Sequence, residues 1–138
     1  MNDRKESVVE AIGLCKTYGS GNTEVKALRE VSLSLTCGEV VALLGPSGAG
    51  KSTLLTALGL IRPPDTGRIV IGGITVFDGK LLVDARTFRR QHLGFVFQKA
   101  NLIPFLTARE NVQLAMEIND ASSREAGKRA MELLEYLG

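Results

Sequence analysis

The stretch Gly45 to Thr53, GPSGAGKST, constrains this 138-residue chain more than any other. It follows VVALL, Val40 to Leu44, a run that is apolar on both faces. Such a run reads as a central parallel strand covered by helices on each side. After it the apolar spacing predicts a helix from about Lys51 to Leu60, ended by Pro63 and Pro64. Strand, glycine-rich loop and helix in that order favour an α/β layer architecture. Glycines let the backbone turn through positive φ and let its N–H groups close around an anion. The helix that follows points its N-terminus at the same place.

The spacing Gly45-x-x-x-x-Gly50-Lys51-Ser52 satisfies the Walker A pattern, and its strand–loop–helix context is the one that pattern requires. Gly45, Pro46, Ser47, Gly48, Ala49, Gly50, Lys51, Ser52 and Thr53 are therefore the candidate phosphate-holding residues. Lys51 supplies a point charge for the β and γ phosphates, and Ser52 offers a hydroxyl to Mg²⁺. The competing reading is a glycine-rich turn with no ligand.

The rest of the chain is read more coarsely. Val31, Leu33 and Leu35 alternate with Ser32, Ser34 and Thr36, the period of a half-buried strand, and residues 8–36 are β-rich. Gly19 to Asn22 is a turn cluster. Arg68–Ile71 and Ile74–Phe77 read as short strands, Asp84–Gln91 as a short helix, and Leu93–Phe97 as a further apolar strand. The last third is helical, with capping-box spacing at Thr107/Glu110 and Ser122/Glu125. Leu114, Met131, Leu134 and Leu137 are expected to pack a core. Arg86, Arg89 and Arg90 read as a solvated helix face.

Composition excludes several function classes. A formal charge of +2 is too mild to call for nucleic acid or an anionic membrane as a partner. Cys15 and Cys37 show no metal-ligand spacing. The start, MNDRKESVVE, is charged and lacks the apolar stretch of a signal peptide.

Two longer passages resemble the ATP-binding subunit of ABC transporters. They are LCKTYGSGNTEVKALREVSLSLTCGEVVALLGPSGAGKSTLL and LGFVFQKANLIPFLTARENV. The phrasing is most similar to the exporter branch serving lipoprotein release and macrolide efflux. The resemblance implies a P-loop NTPase of the ABC type. Its parts are an N-terminal antiparallel β subdomain, an incomplete parallel core sheet and the start of a helical subdomain. It divides the chain into 1–100, from the β subdomain and Walker A core through the Q-loop, and 101–138. ATP and Mg²⁺ are the implied ligands.

Residue by residue, the resemblance makes Tyr18 the aromatic that stacks on adenine, against an ordinary sheet tyrosine. It makes Gln98, in FVFQ, the glutamine that touches Mg²⁺ or the attacking water, against a polar loop residue. Lys51 and Gln98 are thus the candidate catalytic residues, and Ser52 and Gln98 the candidate metal ligands. The segment from Gln98 to Leu106 becomes the edge that docks on a transmembrane subunit, against burial within this domain. A second nucleotide-binding subunit completes a dimer. The implied location is cytoplasmic, peripheral to the inner membrane through the partner.

The family's Leu-Ser-Gly-Gly-Gln signature and Asp-Glu strand end do not occur. Leu81-Leu82-Val83-Asp84 lacks the glutamate and precedes the Q-loop, so it is rejected as a Walker B motif. His92, the sole histidine, reads as structural. The expectation for these residues alone is nucleotide binding without turnover, and poor solubility from an exposed sheet edge. Two other readings stay open: another P-loop kinase, and a non-hydrolysing fragment that competes for nucleotide or docking site.

Overall fold

The computed structural model describes residues 7–138, so most of the charged N-terminal stretch lies outside the described residues. The chain forms two compact units, one running through Leu93 and the other Gly94–Gly138.

In the first unit a long hairpin comes first: β1 (Ser7–Tyr18), a 3₁₀ turn at Gly21–Thr23, and β2 (Val25–Thr36). Helix α1 (Lys51–Leu58) follows, then the hairpin β3 (Thr66–Ile71) and β4 (Ile74–Asp78), then α2 (Ala85–His92). The strands make one antiparallel sheet in the order β2-β1-β3-β4. Ser7 pairs with Thr36 and Tyr18 with Val25, while Val9 pairs with Ile71 and Cys15 with Thr66. Both ladders of β1 slip between Ala11 and Cys15. Gly13, at φ +58°, takes up that bulge.

The inner face of the sheet supplies Ala11, Leu14, Leu28, Ile69, Ile71, Val76 and Phe77. Leu54, Ala57 and Leu60 from the α1 region and Phe88 from α2 join the same cluster. Leu14, Leu60, Ile69 and Val76 are the largest side chains with no appreciable exposure. Each contributes about 1.5–3 kcal/mol by leaving water. This packing fixes α1 beside the sheet, and so fixes the loop that opens it.

Helix α1 ends before the prolines, through its own C-terminal motif. Leu60 N–H donates to Ala57 O and Ile61 N–H to Thr56 O, with Leu60 at φ +53°. That is a Schellman ending with leucine where glycine is usual. Complete burial of Leu60 offsets the strain. Its carbonyl accepts a 2.6 Å hydrogen bond from Arg89 Nη1. Arg89 is therefore tied to the core, which corrects the expectation of a uniformly solvated arginine face.

Two expected strands do not form. Val40–Leu44 and Leu93–Phe97 carry no strand pairing. Val40 is 98% exposed and Val96 102%. The physical reason is partnership. The strands of a hairpin find each other across a short turn, whereas a parallel strand needs a neighbour delivered from elsewhere in the chain. No described residue supplies that neighbour. The antiparallel part of the expected architecture is formed, and the parallel part is not.

The second unit holds α3 (Ala108–Glu117) and α4 (Ser123–Leu137). Ala126, Gly127 and Ala130 form the buried face of α4. A Cβ on Gly127 would lie 2.9 Å from Arg109 Nη2 and 3.2 Å from Gln113 Oε1. Small residues thus carry the α3–α4 contact. Leu114 and Leu134 are half-buried, but Met131 and Leu137 are exposed, the latter at 79%. The expectation that all four pack a core is corrected on this point.

No described helix is long and apolar enough to cross a membrane.

A candidate nucleotide site at the start of helix α1

Gly50 stands at the cap position of α1 with φ +82°, and no side chain caps the helix. A Cβ there would lie 2.3 Å from the Ala27 carbonyl of β2, so the position demands glycine for space as well as for conformation. The first amides of α1 therefore have no side-chain acceptor and face outward as a local positive pole.

Lys51 folds back over the loop. Its Nζ donates to Gly45 O at 2.7 Å and to Pro46 O at 2.7 Å. An ammonium has three donors, so one remains for an anion. Gly45, Pro46, Ser47, Gly48 and Ala49 are all exposed around it. Ser52 is exposed in the first turn, and its hydroxyl has no hydrogen-bond partner among the described residues.

A concavity of about 250 Å³ is lined by Tyr18, Ser52, Thr53, Thr56 and Arg62. The end of β1 and the outer face of α1 therefore meet at one place. Pockets that enclose a whole ligand run to about 300–1,000 Å³. This one suits a single part of a longer ligand. Tyr18 has a cation beside its ring. Lys16 Nζ lies 5.8 Å from the centre of its ring and is paired with Asp65 Oδ1 at 2.6 Å. Asp65 Oδ2 accepts from the Thr17 amide at 2.7 Å. The Lys16 hydrogen bond, then that amide, holds the Asp65 carboxyl below its ordinary 3.8. The strand end carrying Tyr18 is thus clamped to the loop before β3.

The structure brings Tyr18, Lys51, Ser52 and Thr53 to one end of the first unit. Gln98 belongs to the second unit, on an exposed bend just after Phe97. In the segment beyond it, Leu102 is 64% and Phe105 86% exposed. That segment is nonetheless ordered by Asn111. Its Oδ1 accepts from Ile103 N–H at 2.7 Å. Its Nδ2 donates to the carbonyls of Ile103, Leu106 and Thr107 at 3.2, 3.0 and 3.0 Å.

Asp84 is the N-cap of α2, its Oδ1 accepting from Thr87 N–H at 2.8 Å. Its carboxylate therefore serves a helix. The His92 ring packs on Phe88 with centroids 4.4 Å apart. No cluster of metal-ligating side chains occurs among the described residues.

Sequence reasoning missed Thr56, Arg62, the Lys16–Asp65 pair and Asn111. Thr56 was within reach, since it lies one helical turn after Ser52 on the same face. The others depend on contacts between segments distant in sequence.

The family model for "ABC transporter" matches residues 28–138. The chain belongs to this family. It is 44% identical over 126 residues to the lipoprotein-releasing system ATP-binding protein LolD of Bacteroides fragilis, covering 91% of this chain and 56% of that protein. It is 48% identical over 128 residues to LolD of Cereibacter sphaeroides, again covering 91% and 56%. Among solved structures, the ATP-binding cassette MJ0796, dimeric and bound to ADP and Pi, superposes with a TM-score of 0.78. Identity there is 39%, over 92% of this chain and 56% of that one. The chain thus has the ABC-type P-loop fold and spans about half the length of the relatives it matches.

Proposed function

We propose that this chain is the nucleotide-holding part of an ABC transporter ATP-binding subunit of the lipoprotein-release type. The observation that carries the reading is the start of α1. An uncapped helix, a lysine with one spare donor and an unpartnered serine hydroxyl stand beside an aromatic ring. Each group has a place in holding Mg-ATP. The loop amides and Lys51 hold the phosphate chain, Thr53 lies along it, and Tyr18 carries the adenine face to face.

Mg²⁺ fits this donor set. It keeps most of its waters and binds through substrate phosphates with one or two protein oxygens, so the Ser52 hydroxyl suffices without an acidic cluster. Bound there, the ion would neutralise charge on the β and γ oxygens. Gln98, whose amide both donates and accepts, is the group proposed to orient the attacking water or reach the ion. For the 138 residues taken alone the reading is binding. Hydrolysis, pairing with a second such subunit and coupling to export through a transmembrane partner belong to the whole subunit. The proposed docking edge is the loop around Leu102 and Phe105, and the proposed place of work is the cytoplasmic face of the membrane.

The test is an ATP titration by calorimetry with Mg²⁺. Lys51→Ala should weaken binding by ~100-fold or more, since it removes a charge-assisted contact to the phosphates and the tie that shapes the loop through Gly45 O and Pro46 O. Tyr18→Ala should weaken it by roughly tenfold, the size of one base–aromatic stack. Equal affinity in Lys51→Ala and the parent chain would sink the reading.

A further inference from the structure

The residues lining the concavity at Tyr18 form a line with direction. Ser52 and Thr53 stand in the first turn of α1, beside the phosphate loop. Thr56 is one turn further, about 6 Å along the axis from Ser52. Arg62 lies beyond it, and its place is fixed by the backbone. The Thr56 carbonyl accepts from both Ile61 N–H (2.9 Å) and Arg62 N–H (3.1 Å). The Schellman turn at Leu60 thus folds the chain back and returns Arg62 to the outer face of α1. It arrives at the end of the concavity remote from Lys51.

Arg62 is also chemically uncommitted. Its guanidinium makes no hydrogen bond and no ion pair with any described residue. The other cation near Tyr18, Lys16, is paired with Asp65. Arg62 is therefore the charged donor lining the concavity that is available to a ligand.

We propose that Arg62 is a nucleotide-binding residue on the base side of the site, donating from its guanidinium to ring nitrogens of the adenine that lies on Tyr18. The proposal rests on the phosphate-holding reading above and adds a recognition element to it. Adenine presents acceptors along its ring edge, and a guanidinium carries donors in a rigid fork. A lysine would reach the same place as a single point charge. The distance of Arg62 from the phosphate loop makes it a reader of the base.

The experiment titrates the 138-residue chain with ATP, ADP and inorganic tripolyphosphate, in the parent, Arg62→Ala, Arg62→Lys and Lys51→Ala forms. Arg62 is exposed, so its variants should keep the parent circular dichroism spectrum. Arg62→Ala should weaken ATP and ADP by the same factor, roughly tenfold. It should leave tripolyphosphate, which has no base, unchanged. Arg62→Lys should recover part of the loss.

Unchanged ATP affinity in Arg62→Ala overturns the proposal. So does an equal loss for tripolyphosphate, which would move Arg62 to the phosphates. The Lys51→Ala arm judges the underlying reading separately, because it should lose ATP and tripolyphosphate together. Retention of tripolyphosphate by Lys51→Ala, or no binding of either ligand by the parent, overturns the phosphate reading and the Arg62 proposal with it.

Discussion

Helices α1 and α3 begin in opposite ways. At α3, Thr107 and Glu110 close the first turn on itself. Glu110 N–H donates to Thr107 Oγ1 at 3.2 Å, and Thr107 N–H donates to Glu110 Oε2 at 2.7 Å. Helix α2 is closed by Asp84 and α4 by Ser122. At α1 the cap position holds Gly50, with no side chain to offer and no acidic residue in the first turn. A side-chain cap is worth about 1 kcal/mol over alanine but only a few tenths over glycine, so Gly50 leaves this end open at small cost. An end completed by its own side chains serves the fold, whereas the open end is the one the proposed reading gives to an anion.

The sharpest way to break this comparison is to give α1 a cap. Gly50→Ser offers the hydroxyl that Ser122 offers α4. Yet ordinary caps sit in the extended region, as Ser122 does at φ −64° and ψ 145°, and Gly50 sits at φ +82°. The new Cβ would also meet Ala27 O at 2.3 Å. Gly50→Ser should therefore lose ATP affinity by ~100-fold or more and destabilise the chain by about 1–3 kcal/mol. Calorimetry and a denaturant melt read the two effects. A stabilised variant would show that α1 is open for want of a cap and not by design of the loop.

The converse change is milder. Thr107→Ala removes the Oγ1 acceptor of the Glu110 amide and leaves the bond from Thr107 N–H to Glu110 Oε2 in place. It should cost about 1 kcal/mol of stability. ATP affinity should stay at the parent value, because Thr107 is not among the proposed nucleotide-holding residues. A fall in affinity comparable to that of Tyr18→Ala would mean the two ends are not independent.

What the sequence disclosed follows the same division. Helix caps, turn glycines and hairpin strands are local signals. The Thr107/Glu110 box, the Ser122 cap and the hairpins β1/β2 and β3/β4 are legible because their partners lie within a few residues or across one turn. At α4 the Glu125 carboxylate accepts from the Ser122 hydroxyl and not from its amide, so the expected box there is only half formed, and the β1–β3 pairing is not local. The Walker A loop was legible for the same reason. Val40–Leu44 was read as a strand because its composition suits one, but composition cannot provide a neighbour to pair with. Met131 and Leu137 lie on apolar stripes, which points to a core, yet both are exposed. The α3–α4 contact runs instead through Ala126, Gly127 and Ala130, where closeness matters more than bulk. Arg62 carries no pattern at all. Its position appears only once the Leu60 turn has brought it back to Thr56.

The smallest effect concerns protons. Glu110 is held below its ordinary 4.5, first by the Thr107 amide and then by the Thr107 hydroxyl. Asp84 is held below 3.8, first by the hydroxyl of Thr87 and then by its amide, with Arg86 and Arg89 adding to the effect. Both carboxyls have lower values in the folded chain than in the unfolded one. Their contribution is therefore fully present above the unfolded values and is lost as pH falls through the folded ones. Unfolding midpoints should be flat from about pH 7 to 5 as far as these two groups are concerned, and should drop below pH 4.5. The pair of changes Asp84→Asn and Glu110→Gln keeps an acceptor oxygen at each cap and removes the titration, so the acid-side slope should become shallower. Helix α1 has no acidic residue in its first turn. Acid should therefore erode the closed helix ends while leaving the open one as it was. An acid-side slope identical in parent and double variant would remove the closed caps from the account of stability.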